Sequence, residues 1–458
     1  MELGRSESMR RLGRVAVGAA TLFLLLQLVR PGIPVRQSTV EFQASTQVRS
    51  ILVKDCYSCH SDQRRLAWFD EVVPGYWLVR HDILTAREHL DFSTLGSKPA
   101  AAQRASLYEA VNMIQLGAMP PGKFTALHPD AKVTLAELAT LKAYLAPWSS
   151  APPAQIVTAV VPEATLSHID LAAVKEEFNG LAFDSSFESW KPISFTDRGD
   201  NNTFRFILGN EIAVNAARSG NISPWPDGAR FAKIAWQQEY GKDGLIHSGK
   251  FVQVELMVKG AHTYKQSDGW GWGRWRGMNL EPYGTDAHFV NECTGCHLPV
   301  RQDDDVYTLP ITPARSNGRE VVNNGAILPQ SVPYQPLAWN AITMYVDPHV
   351  HTMATLYGND EAMQTARPHG SRSGRSPAYP PGAVLALVTW AQRDDPHWFG
   401  ARIPDAPQSI EFVQVGSQGA TASYQRFDGV DLTERSTVPA AQAQRTSFIL
   451  NLTPVELP

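Results

Sequence analysis

The sequence predicts a multidomain chain of α and α+β character: an all-α N-terminal domain followed by two antiparallel-β-rich repeats. Three observations predict it. At 458 residues the chain is long enough for about three domains. Helical periodicity dominates residues 37–150, whereas short apolar, β-forming runs separated by Gly, Asp and Pro turns take over after Trp190. The last third of the sequence also repeats the order of blocks found in the middle third.

The composition, 43% hydrophobic and 19% charged, is that of an ordinary globular protein, and a formal charge of −4 gives no electrostatic reason to expect a nucleic-acid partner. Most of the twelve tryptophans lie after residue 186, which points to large aromatic-walled cores or pockets there.

Residues 1–36 read as a signal or anchor segment. Arg5, Arg10, Arg11 and Arg14 precede the apolar run 15–29, the order of an export signal. The run is short for a membrane span, which takes about 17–25 residues. No small-x-small cleavage pattern follows, which favours an uncleaved membrane anchor and a periplasmic body over a removed peptide.

All four cysteines fall in two Cys-x-x-Cys-His motifs, Cys56-Tyr-Ser-Cys59-His60 and Cys293-Thr-Gly-Cys296-His297. Two thiols at this spacing can add across the vinyl groups of a porphyrin, and the adjoining histidine supplies an axial nitrogen. A redox Cys-x-x-Cys, a zinc site and structural disulfides are the competing readings. Two copies in an exported chain with no cysteine to spare favour two covalently attached c-type haems.

Around the first motif, residues 37–150 read as an all-α domain. Val48, Ile51 and Leu52 share one helical face leading into Cys56. At the far end, Thr134 and Glu137 have capping-box spacing, and Leu135, Leu138, Leu141 and Leu145 line one face of a closing helix. Between them Met119 precedes Pro120 and Pro121, a stiff loop suited to holding a thioether over iron opposite His60. His81, His89 and Met113 are alternative ligands, and His128 reads as structural or solvent-facing. A His/Met pair closes the iron to substrate and suits electron transfer. The run from Cys56 through Ser93, with "GAMPP" after it, resembles the haem-binding domain family of bacterial periplasmic proteins; the resemblance implies haem binding without catalysis.

Residues 149–163 are Pro/Ala-rich and nearly uncharged, as a semi-extended linker would be. With a short helical stretch at 171–181 they separate the domains over 151–185. From 186 to 320, "FRFILG", "RFAKIAW" and "KFVQVELMV" predict an antiparallel sheet with helices packed on it. "WPDGARFAKIAW", "GWGWGRW" and "NECTGCHLPVRQDDDVYT" resemble the cytochrome P-460 family of single-haem c-type proteins. In the last of these, Asp304, Val306, Tyr307 and Thr308 match the family's Asp-x-Val-aromatic-Thr.

That resemblance implies a lysine bonded covalently to the porphyrin, at the position of Lys233. A lysine inside an apolar strand needs a reason, because burying an ammonium is expensive. An edge-strand lysine pointing to water is the plain alternative. His297 would ligate the iron, and no Met-Pro loop follows to close the other face. The family's distal acid or base lies just upstream of its motif, which makes Asp286 and His288 the candidates here.

Residues 321–458 echo the preceding domain. The block 339–367 parallels 190–218, 379–392 parallels 225–238, and "IEFVQV" with "YQRFDG" parallels "KFVQVELMV" with "YKQSDG". Leu387 replaces Lys233 and no cysteine remains, so this copy cannot hold a covalent haem. P-460 proteins resemble homodimers, and a fused copy would supply the partner face as an internal pseudo-dimer. His349 and His351 have a spacing that could bind a metal, with no third ligand in view.

The expected activity is oxidation of a small nitrogen compound of the hydroxylamine class at the second haem. The first haem would relay electrons to a redox partner cytochrome or respiratory chain. A gas-binding or purely electron-transferring protein is the alternative, and a structural subunit of a respiratory assembly a third.

Overall fold

The computed structural model describes residues 3–35, 40–149, 169–314, 320–366, 378–416 and 422–458. The chain forms two compact units, Met1–Leu145 and Ala146–Pro458. The linker expected over 149–163 lies, from 150 onward, outside the described residues.

The first unit is helical. Helix α1 (Leu3–Leu26) contains most of the apolar run of the N-terminal segment. Among the described residues no helix is long and apolar enough to cross a membrane. The physical reason is length, because polar and basic residues occupy the first half of α1. Described residues of the expected signal or anchor segment also pack on the helical domain that follows it. Gln27 exchanges two hydrogen bonds with the backbone of Val73, at 3.0 and 2.9 Å, and the Tyr76 hydroxyl donates to Pro31 O at 2.6 Å. Trp77 Nε1 donates to Val29 O at 2.8 Å.

Helices α2 (Thr46–Asp55) and α3 (Tyr57–His60) carry the first cysteine motif. They are followed by α4 (Gly75–His89), α5 (Phe92–Leu95), α6 (Ala100–Gln115), α7 (Gly122–Thr125) and α8 (Leu135–Ser149). Val48, Ile51 and Leu52 are buried, as their spacing requires. Thr134 and Glu137 form the expected reciprocal box: Glu137 N donates to Thr134 Oγ1 at 3.2 Å, and Thr134 N donates to Glu137 Oε2 at 2.8 Å. Leu141 and Leu145 are buried, but Leu135 is 86% exposed, because the apolar face of α8 begins a turn later than the leucine spacing implies. Lys54 joins α2 to α8 through Glu137 at 2.6 Å, and the Tyr108 hydroxyl joins α6 to α8 through Leu145 O at 2.6 Å.

The second unit is built on antiparallel strands. The first six are β1 (Lys191–Arg198), β2 (Thr203–Gly209), β3 (Arg230–Tyr240), β4 (Ile246–Lys259), β5 (Trp270–Arg276) and β6 (Glu281–Pro282). The matching six are β7 (Asn340–Asp347), β8 (Thr352–Gly358), β9 (Val384–Asp394), β10 (Ala401–Gln414), β11 (Ser423–Asp428) and β12 (Thr433–Glu434). Strands β1-β2-β3-β4-β7-β8-β9-β10 run in that order, and β10 pairs back onto β1, closing an eight-stranded barrel with no free edge. The two seams are equivalent: β4 meets β7 at Ile246 and Val346, and β10 meets β1 at Arg402 and Asp197. Strands β5–β6 extend the sheet from β4, and β11–β12 extend it from β10. The helices of this unit are α9 (Glu211–Ser219), α10 (Val290–His297), α11 (Asp360–Ala366) and α12 (Pro439–Asn451).

The expected sheet is thus a barrel shared by both repeats, with alternate residues facing inward. Phe195, Phe206, Trp236, Tyr357 and Trp390 fill it, each less than 2% exposed. Burying side chains of this size stabilises the fold by about 1.5–3 kcal/mol each. In "GWGWGRW" Trp270 and Trp272 point to one face, and Gly271, Gly273 and Trp275 to the other. A Cβ on Gly271 would come within 2.5 Å of the Tyr264 ring, and one on Gly273 within 2.6 Å of the Trp275 ring.

Two readings are corrected. The helical stretch at 171–181 is a single turn at Leu171–Ala173 followed by an irregular strap. Glu177 in that strap is buried and accepts Arg274 N at 2.9 Å and Tyr283 N at 3.1 Å, a role incompatible with a helix face. The third block of the repeat is also displaced from the expected alignment. Lys233 pairs with Glu255 and Glu255 with Arg274, whereas Leu387 pairs with Glu411 and Glu411 with Arg426. Glu411 therefore matches Glu255, and "YQRFDG" matches β5 rather than "YKQSDG"; strand pairing overrides the local identity of "FVQV".

Candidate haem sites

In the first unit Cys56 and Cys59 straddle one turn, with His60 closing it. His60 Nδ1 donates to Leu90 O at 2.9 Å, a bond that fixes the tautomer and leaves Nε2 unprotonated and able to ligate. Burial lowers the tendency of His60 to protonate, although the bond to Leu90 opposes it. Arg87 holds the chain leaving the motif by donating to Ser61 O at 2.5 Å, Asp62 Oδ1 at 2.8 Å and Pro34 O at 2.9 Å. Burial pushes the Cys56 thiol up to about 12 and the Cys59 thiol up to about 11.

Met119 is 39% exposed, in a loop folded back on α6, where Ala118 N and Met119 N both donate to Met113 O, at 2.9 and 3.1 Å. His81 and His89 are exposed on α4, and Met113 is half-buried. His128 is structural, because Nδ1 meets Phe124 O at 3.1 Å and Nε2 meets Asp70 at 2.9 Å, leaving neither nitrogen for iron.

In the second unit α10 carries Cys293, Cys296 and His297. His297 Nδ1 donates to Asp305 O at 2.6 Å, again leaving Nε2 unprotonated and able to ligate. Burial brings its imidazole down to about 4, so it is neutral at pH 7. The turn offering that carbonyl is strongly held. Asp304 accepts Lys259 Nζ at 2.6 Å and Trp225 N at 2.8 Å, and its carbonyl accepts Trp270 Nε1 at 2.9 Å. Asp304 and Asp305 both have positive φ, 54° and 61°, a conformation this anchoring stabilises. Val306 is buried, and Tyr307 sets its ring 5.1 Å from that of His297 while its hydroxyl donates to Cys296 O at 2.7 Å. Each residue of Asp-x-Val-aromatic therefore has a structural task in orienting α10.

Lys233 is half-buried on the outer face of the barrel and not on an edge strand. It forms an ion pair with Glu255, which Arg274 also approaches at 3.4 Å. Burial lowers the Lys233 ammonium to about 8, with Arg205 and Arg274 adding like-charge repulsion against the pull of Glu255. The charges of Lys233, Glu255 and Arg274 bear on both Cys293 and His297, so the structure brings this row and α10 together. Cys293 packs on the same face with Ile207, Phe231 and Trp272. Trp272 lies 4.5 Å from the His297 ring.

Asp286 and His288 are not drawn into this cluster. Their side chains are 66% and 85% exposed and lie 3.2 Å apart, with Asp286 capping the turn Ala287–Phe289. Phe289 is the residue of that turn that packs inward. Sequence reasoning missed Glu255, Arg274, Asp304's anchoring role and His397; a glutamate inside the apolar run "VELMV" was the signal available for the first.

The second half of the barrel shows what becomes of the same face without cysteines. Carrying the register forward from β11–β12 places Arg445, Phe448 and Ile449 of α12 where α10 has Cys293, Cys296 and His297. Ile449 is fully buried against Leu387 and Leu356, and Arg445 makes two bonds to Glu411, at 2.8 and 2.6 Å. Among the described residues no group of three or more His, Cys, Asp or Glu is placed to hold a metal ion, and His349 and His351 are exposed.

No protein with a curated description matches this chain. The family model of a haem-binding domain matches residues 21–147, and the cytochrome P460 model matches residues 185–308. With a haem-ready histidine in each matched segment, the chain is a haem cytochrome in which a haem-binding domain precedes a cytochrome P460 domain.

Proposed function

We propose that the chain is a periplasmic dihaem c-type cytochrome that oxidises a small nitrogen compound of the hydroxylamine class. Cys56 and Cys59 hold one haem and Cys293 and Cys296 the other. The first haem, ligated by His60 and Met119, carries electrons onward to a redox partner. The second, ligated by His297, supplies a coordination seat for substrate and takes up its electrons. The second repeat acts as a built-in partner subunit, a pseudo-dimer reading supported by the equivalent seams of the barrel. Export rests on the arginines ahead of the apolar run, and the exposed apolar side chains of α1 suit attachment at a membrane surface.

The observation that carries the enzymatic reading is the position of Lys233, on the face that packs Cys293 and bearing electrostatically on His297. Burial lowers the Lys233 amine to about 8, which suits a bond from Nζ to a ring carbon of the macrocycle; such a bond would release the ring hydrogen and an amine hydrogen as protons, with two electrons passing to a peroxide that is reduced to water. The test compares the optical spectrum of the reduced protein with that of Lys233→Ala, alongside a hydroxylamine oxidation assay. A red-shifted, broadened band lost in the variant, together with turnover in the wild type, supports the reading. Two ordinary c-type spectra unchanged by the substitution overturn it. A second reading, a gas-binding or relay cytochrome, is favoured by the exposure of Asp286 and His288, which leaves the expected proton-moving pair on the surface.

A further inference from the structure

The haemless repeat reaches into the site of the other repeat. The β9–β10 turn, residues 395–400, brings His397 and Trp398 against Tyr307. His397 is 8% exposed, and its Nδ1 donates to Tyr307 O at 2.8 Å. Trp398 meets the Tyr307 ring edge-on at 5.5 Å. Trp398 is itself fixed: its Nε1 donates to Asp200 Oδ2 at 3.2 Å, and the Arg198 guanidinium, paired with Asp200, lies over its ring at 4.4 Å. Tyr307 in turn touches both the His297 ring and the Cys296 carbonyl. The equivalent turn between β3 and β4 reaches the other way, where Leu245 packs on the cluster containing Ile449 and Tyr345.

We infer that His397 is a positioning residue for the second haem, fixing Tyr307 and through it the orientation of His297. The inference rests on His297 being the iron ligand. It gives the second repeat a task beyond closing the barrel: without the 395–400 turn, the tyrosine that buttresses the ligand would lose its backbone anchor and one side of its packing. Losing this donor costs a part-buried carbonyl a hydrogen bond, so the Tyr307 segment would shift.

The test uses the full haem-loaded chain and two variants. His397→Phe keeps ring volume but removes the donor, and His397→Asn keeps a donor at the Nδ1 position. The readouts are covalent haem per chain, the midpoint potential of each haem and carbon monoxide affinity of the reduced protein. His397→Phe is expected to shift the ferric/ferrous equilibrium of the second haem alone by at least threefold, against about 59 mV for a tenfold one-electron change. It is also expected to change carbon monoxide affinity at least threefold, whereas His397→Asn restores both. If His397→Phe does not accumulate, His397→Met, an apolar side chain with no donor, is read in the same way. Unchanged potential and affinity with only a lowered melting temperature would overturn the inference. A wild-type chain with no haem on Cys293 and Cys296 would overturn the underlying assignment instead, and the haem count separates the two failures.

Discussion

Lys233 and Glu255 face each other across β3 and β4 as register partners joined by an ion pair, and Leu387 faces Glu411 at the matching place in the second half. The carboxylate is thus present in both halves while its basic partner changes source, from a strand lysine in one to Arg445 of α12 in the other.

Lys233→Met leaves Glu255 with Arg274 at 3.4 Å and the amide donor of Gln253. Removing one partner of a fully buried pair costs about 3–5 kcal/mol, but Lys233 retains 28% exposure, so a loss of about 1–2 kcal/mol is expected. Urea unfolding of the second unit measures it. No loss would mean that Arg274 and Gln253 together satisfy Glu255.

Arg445→Met is expected to cost somewhat more, about 2–3 kcal/mol, because the Glu411 side chain is only 2% exposed; Arg445 itself is 31% exposed and the Tyr424 hydroxyl still donates to Glu411, which keeps the loss below that of a fully buried pair. Covalent haem content should not change, since α12 stands on the haemless half. A variant that lost haem without losing stability would contradict the register placing α12 there.

Asp304→Ala removes the acceptor of buried Lys259 and of Trp225 N, freeing the turn whose carbonyl orients His297. The expected outcome is a mixed spin state at the second haem and a loss of about 3 kcal/mol or more in stability, with the first haem unaffected. Resonance Raman and urea unfolding check the two parts separately.

Asp197 sits at the β1–β10 seam, where Gln238 and Gln392 donate to its carboxylate at 2.6 and 2.8 Å. Burial raises its pKa above the ordinary carboxylate value. The folded chain therefore holds this proton more tightly than the unfolded chain does. The corresponding stability is fully present below the unfolded value of about 3.9 and is lost as pH rises through the raised folded value. Asp197→Asn, with one glutamine amide flipped to accept, should gain on the wild type as pH rises from about 3 to 7. Thermal melts across that range show it; a constant difference would refute it.

Much of this was legible in the residues. The cysteine motifs, the Thr134–Glu137 box and the block order of the repeat depend on short-range spacing, and spacing survives in a sequence. Barrel closure did not, because the β1–β10 pairing joins residues some two hundred positions apart. The misaligned third block has the same cause: "FVQV" recurs locally, whereas the pairing that places Glu411 beside Leu387 is set across strands. Asp286 and His288 were chosen by proximity to Cys293 along the chain, yet a capped turn carries them outward while Phe289 packs in. His397 carries no local signal, since its partner Tyr307 belongs to the other repeat.

The most direct test of two haems with different tasks is a carbon monoxide titration of the fully reduced chain, with covalent haem counted in the same sample. The account predicts two haems per chain and one carbon monoxide bound, on the haem attached to Cys293 and Cys296. Binding at neither haem, binding at both, or a single haem per chain would contradict it.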